Sequence, residues 1–113
     1  MPAYLLAFPG GAMDLTDVPL DRVSEESHAA VREAKAAGVW VFGGGILDEV
    51  APVRVAADGS VTPGAHPEHA GLPGGFAVLR TASRADAEAW AARFAAACRA
   101  PQGLWQFGDD PES

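Results

Sequence analysis

Three histidines carry most of the chemistry this sequence could perform. His28 sits in a segment of helical spacing. At 100° per residue it falls roughly 115° from the centre of that segment's apolar stripe, on the flank. An imidazole titrates near neutrality, so His28 is a candidate general acid or base if the flank lines a cleft. If the flank faces solvent, it is an ordinary surface histidine. His66 and His69 frame the run His-Pro-Glu-His. Such a pair, with Glu68 as a third ligand, could hold a metal, yet ligand pairs usually ride on a helix or rigid turn. No second cluster accompanies this one, so no metal is assigned. The run reads as a polar loop, or as a cleft border at which His66 takes a catalytic polar role and Glu68 touches substrate. Asp48, with Glu49, follows Gly43-Gly44-Gly45. A carboxylate there could hold a histidine tautomer as an orienting acid does, or form a charged turn.

The remaining candidates divide by environment. The glycine triplet is followed by neither Lys-Ser/Thr nor a helix start, so it is no phosphate loop. It reads as close backbone packing at a strand end. Trp40 and Phe42 stand beside it as candidate substrate contacts. Trp40, Trp90 and Trp105 also read as core or dimer contacts. Cys98 lies on an apolar helical stripe without an activating base and reads as an inert buried thiol. No Gly-x-Ser-x-Gly occurs, so a nucleophile elbow is excluded.

The elements that must position these residues follow from periodicity. Tyr4 to Phe8 is a short apolar run halted by Pro9-Gly10-Gly11, which predicts a strand. Val23 to Ala37 predicts a helix: Leu20, Val23, Ser27, Val31 and Ala34 keep a three-and-four spacing, and Gly38 offers a left-handed cap. Val39 to Phe42 is β-branched and aromatic, a strand ending at the triplet. Val50 to Val55 and Ser60 to Thr62 flank Asp58-Gly59, a hairpin signal. Residues 63–74 are rich in proline and glycine and predict a loop. Phe76 to Arg80 is another strand. Ser83, with Asp86 three residues on, marks a second helix start by an approximate capping box. Ala87, Trp90, Ala91, Phe94, Ala97 and Cys98 form its stripe, and Pro101 limits it. Leu104 to Phe107 is the last strand. Residues 1–108 form one α+β domain, and 109–113 a frayed acidic tail.

The order β-α-β, hairpin, β-α-β predicts a ferredoxin-like split βαβ fold with a β-hairpin insertion. In its strands both alternating sets are apolar. Two helices cover one face of such a sheet, and a large bare apolar face is rare in a monomer. A homodimer joined through the sheet faces is therefore expected. The chain of 113 residues carries a net charge of −7 and no cluster of basic residues. These figures disfavour nucleic acid and anionic membrane surfaces as partners. The apolar run Ala3 to Phe8 is too short to span a bilayer, and one cysteine precludes an intrachain disulfide. A soluble cytoplasmic protein is expected, with no organic cofactor.

The stretch from His28 to Ile46 resembles the YCII-related family: a helical histidine, an Ala-Gly helix end, an apolar strand and a glycine-rich stop. Gly59 to Phe76 is similar to the branch named for its Asp-Gly-Pro-Phe motif, with Val61-Thr62, Glu68 and Gly74-Gly75-Phe76 in register. Thr81 to Trp90 resembles the family's second helix, and Cys98 to Phe107 its proline turn and last strand. The resemblance implies a dimeric α/β barrel with a cleft between sheet and helices. In the short branch it implies an acid–base His/Asp pair. In another it implies dehydrochlorination of a chlorinated hydroxyhydroquinone. Two departures bear on this. Pro63-Gly64-Ala65-His66 replaces the motif aspartate, and Ala100-Pro101 replaces Asp-Pro. His28 alone is retained. The expected function is cofactor-free elimination or isomerisation of a small organic molecule, or else binding without catalysis.

Overall fold

The computed structural model describes residues 1–65 and 74–113. Tyr4 and Leu6, two residues apart, are almost wholly buried, and they fix the inward side of strand β1 (Ala3–Phe8). Helix α1 (Leu20–Ala36) begins three residues earlier than its periodicity predicts, because Pro19 holds an extended conformation suited to a helix entrance. That places Leu20 on the exposed first turn, off the buried stripe, which runs through Val23, Ala30 and Ala34. Gly38, at φ +75°, closes the helix as expected. Its N–H donates to the Lys35 carbonyl and that of Val39 to the Ala34 carbonyl, so the last carbonyls are satisfied.

Strand β2 (Trp40–Gly45) corrects a second expectation. The glycine triplet does not stop the strand; it continues it, pairing with Ala77, Phe76 and Gly75. A Cβ on Gly43 would lie 2.7 Å from the Trp40 ring and 2.8 Å from the Phe76 carbonyl oxygen. Glycine is there because neighbours occupy the side-chain space, not because the strand ends. A bulge between Trp40 and Phe42 turns these two rings to opposite faces.

Strands β3 (Val53–Val55) and β4 (Val61–Pro63) form a hairpin shorter than the sequence suggests. Gly59, at φ +88°, donates to the Ala56 carbonyl, and the Ser60 N–H to the Asp58 carboxylate. Every residue from Ile46 to Gly64 is exposed. The hairpin is a two-stranded sheet of its own.

Strand β5 (Gly75–Arg80) leads to helix α2 (Arg84–Cys98). The Ser83 hydroxyl accepts from the Asp86 N–H at 3.1 Å, the cap's half of the expected box. Strand β6 (Gly103–Gln106) closes the chain's main sheet. The tail turns on Asp110, whose carboxylate accepts from the Glu112 N–H.

The four long strands stand in the order β2-β5-β1-β6, and every neighbouring pair is antiparallel. Each helix thus joins two parallel strands with one strand between them. The fold is a small α+β domain with both helices on one face of the sheet. Tyr4, Leu6 and Leu79 meet Ala30, Ala34, Ala87, Phe94 and Ala97 there. Alanine dominates the helix surfaces that meet, so α1 and α2 lie close to each other. A forked pair from Arg93 to Glu33 (2.9 and 3.1 Å) and an ion pair from Arg99 to Glu26 join the two helices.

Candidate functional site

The site arises where side chains are missing. Gly43 and Gly45 on β2 and Gly75 on β5 share the helix-facing side of the sheet, in register with one another and with Ala77. The Trp40 ring folds over Gly43, and beyond it the strip at Gly45 carries no side chain of its own. A cleft of about 530 Å³ opens there between the sheet, α1 and the end of α2.

Its wall on α1 is the row Ser27, His28, Val31 and Lys35. Val31 lies four residues after Ser27 and three after His28, and Lys35 four further on, so the row follows one side of the helix. The sheet contributes Leu6, Phe8 and Trp40, and α2 contributes Phe94 and Cys98, with Gln102 from the turn before β6. Trp40 and Phe94 pack with ring centroids 5.9 Å apart in a tilted arrangement, which fixes the apolar wall. The Ser27 hydroxyl donates to the Val23 carbonyl at 2.7 Å, and its oxygen lies 3.5 Å from the Cys98 sulfur.

His28 therefore stands on the flank expected of it, exposed, with its side chain in the wall of a concave and mostly apolar space. Among the described residues no carboxylate lines that space. Asp48 and Glu49 lie in the exposed turn between β2 and β3 and are not in the lining. Trp40 is in the wall. Phe42 borders the cleft from the opposite face of β2, 61% exposed and 6.2 Å from Phe76 by ring centroids. His66, Glu68 and His69 lie outside the described residues. Among the described residues no group of three His, Cys, Asp or Glu is arranged to hold a metal.

Two corrections concern polar groups in the cleft. Cys98, read as buried, is half-buried and lines the cleft beside Ser27. Lys35, which helical spacing groups with Glu25, Arg32 and Glu33 on the face opposite the apolar stripe, lines the cleft instead, as does Gln102, and the spacing 27, 28, 31, 35 puts Lys35 on the face of His28. Read as a second stripe beside the buried one, that spacing would have found it.

A second hollow of about 580 Å³ lies on the other face of the sheet. Its walls are the first three residues, Val78, Arg80 and the turned tail. Arg80 donates there to the Met1 carbonyl. No helix is long and apolar enough to cross a membrane among the described residues. No protein-family model matches the chain, and no curated protein matches it either.

Proposed function

We propose that this is a YCII-related, ferredoxin-like protein whose cleft takes a small organic molecule, with His28 as a cofactor-free general acid or base. One observation carries this reading: the single histidine of the family resemblance that the sequence retains lies in the wall of a mostly apolar cleft. Elimination and isomerisation both begin by removing a proton from carbon, and a neutral imidazole held against an apolar substrate can accept it. Trp40 and Phe94 offer a flat apolar surface for the carbon skeleton, with Phe42 at the border and Cys98 and Ser27 at the inner end. Asp48, in the turn after the glycine strip, remains a proposed helper, and so do His66 and Glu68.

The strand order β2-β5-β1-β6 with helices on one face supports the ferredoxin-like assignment. The partner is proposed to be a second copy, docked on the open sheet face to complete an α/β barrel. Phe42, Phe76 and Trp105 support this, because three exposed aromatic side chains on one face form a patch that water disfavours.

A second reading has its own observation. No carboxylate among the described residues lines the cleft to orient the His28 ring. A dimer that binds a small molecule without transforming it would need none. Proton exchange in D₂O separates the readings. Small lactones and hydroxylated chloroarenes are incubated with the protein, and loss of carbon-bound protons is followed by NMR. The enzyme reading expects exchange that His28→Asn slows by about a hundredfold or more at unchanged Tm. Binding of these compounds with no exchange would establish the second reading instead.

A further inference from the structure

The charges around the cleft contrast with those of the chain. The protein carries 15 acidic and 8 basic residues. Yet the ionisable groups that line the cleft among the described residues are Lys35, His28 and the Cys98 thiol, and none is a carboxylate. Lys35 stands at the mouth on the last turn of α1. His28 lies two turns back along the same face. Ser27 and Gln102 add neutral polar groups that can donate hydrogen bonds. Between them the surface is aromatic and aliphatic, and the floor is glycine backbone, covered at Gly43 by the Trp40 ring.

A neutral apolar molecule would use the walls and leave the ammonium of Lys35 without a purpose in the site. A cation would be opposed by Lys35 and find no carboxylate partner among the described residues. An anion with an apolar body satisfies both ends: the body rests on Trp40 and Phe94, and the charged end meets Lys35 and His28. We infer that the cleft selects small apolar organic anions, of which an arylalkyl carboxylate is the simplest. This inference rests on the reading of the cleft as a ligand site and adds the chemical class of the ligand. The pull also acts before contact, since a positive charge at the cleft of an acidic protein draws anions toward it.

The test uses three probes of one shape and different charge: phenylacetate, phenylacetamide and phenethylammonium. Each is titrated into the full chain, and the three Trp indole N–H signals are followed by NMR. The expected result is a shift of the Trp40 signal, with phenylacetate binding about tenfold more tightly than phenylacetamide and phenethylammonium weakest. Lys35→Gln should reduce phenylacetate affinity about three- to fivefold and leave phenylacetamide unchanged, the size expected of an exposed charge. Raising the salt concentration should reproduce that loss. Gly45→Leu should abolish binding of all three, because a Cβ at Gly45 meets only the Gly74 carbonyl oxygen at 3.8 Å and the larger side chain fills the cleft. Equal binding of phenylacetate and phenylacetamide would overturn the anion preference and leave the ligand site standing. Binding that survives Gly45→Leu, or no shift of Trp40 with any probe at millimolar concentration, would overturn both.

Discussion

The two faces of the main sheet share strands and composition, and they differ in what lies over them. On one face Tyr4, Leu6 and Leu79 are almost completely removed from water by α1 and α2. On the other, Leu5 pairs across to Val78 and Trp105, and Val78 across to Phe42. There Phe42 is 61% and Trp105 55% exposed. Strands apolar on both sides need two covers. Among the described residues the helices supply one. Hydrophobic pattern states how much burial a strand requires, while the connections decide how much of it the same chain can deliver. Both helical crossovers have the same hand and return on the same side, so they leave the second face uncovered among the described residues.

The largest effect should separate the two faces directly. Leu79→Ala removes a fully buried side chain at the centre of the covered face and should cost about 2–5 kcal/mol in denaturant unfolding. Phe42→Ala, measured at a concentration where sedimentation shows monomer, should cost far less, because that ring is mostly in water already. Equal losses would mean that the open face is covered within the monomer, and the contrast between the faces would fail.

Next in size is the proposed second cover. Phe42→Glu with Trp105→Glu puts two charges on the open face, where each would have to be desolvated against the partner. Sedimentation equilibrium should show the wild type as a dimer and this variant as a monomer, with dimer affinity lowered by about a hundredfold or more. The variant's helical circular dichroism should be unchanged. A wild-type chain that stays monomeric at millimolar concentration would sink the dimer.

Much of the covered face is legible in sequence, and the reasons are local. The Gly38 cap, the Ser83 cap and the Ala87–Phe94–Ala97 stripe each rest on residues within one element, so spacing alone finds them. The sequence also separates Leu104 from Trp105 onto opposite faces, and the register opposite Leu6 and Leu5 bears this out. What escapes it is set by contacts from afar. The continuation of β2 through three glycines depends on pairing with the β5 backbone, which no window around residue 43 contains. The cleft escapes for the same reason, since a cavity is defined by side chains that are absent. The flank position of His28 is readable from helical angle, but the space beside it is not. Lys35 groups with Glu25, Arg32 and Glu33 as a charged face opposite the stripe, and a charged helix face ordinarily meets water.

Gly43→Ala sharpens the contrast by probing the covered face at its tightest point. The added methyl would stand 2.8 Å from the Phe76 carbonyl oxygen and 2.9 Å from the Ala77 Cα, so the rigid strand backbone must move as well as the Trp40 ring. The expected loss is about 1–3 kcal/mol. Trp40 should move away from Phe94 and change the near-ultraviolet circular dichroism. Gly44→Ala lies one residue on, with nothing within 4 Å of its Cβ, and should be tolerated. If both substitutions cost the same, glycine at 43 serves the strand's backbone rather than the packing of Trp40.

The smallest effect concerns the outer edge of the cover. Arg93 on α2 forks onto Glu33 of α1, and the hydrogen bond holds the Glu33 carboxyl below its ordinary value of 4.5. A carboxyl whose pKa is lower folded than unfolded adds stability at pH above the unfolded value. That stability disappears as the pH falls through the lowered folded value. The pair is exposed to solvent, so its contribution is small and screened by salt. Arg93→Gln should lower Tm slightly at pH 7, and the deficit should shrink as the pH is brought down to 3. Arg93→Lys should recover part of it, since an ammonium supplies the charge without the planar fork. A deficit of constant size from pH 7 to 3 would assign the effect to lost packing of the Arg93 stem between the helices. The link from α1 to α2 would then be apolar to its edge, with the ion pair as decoration on it.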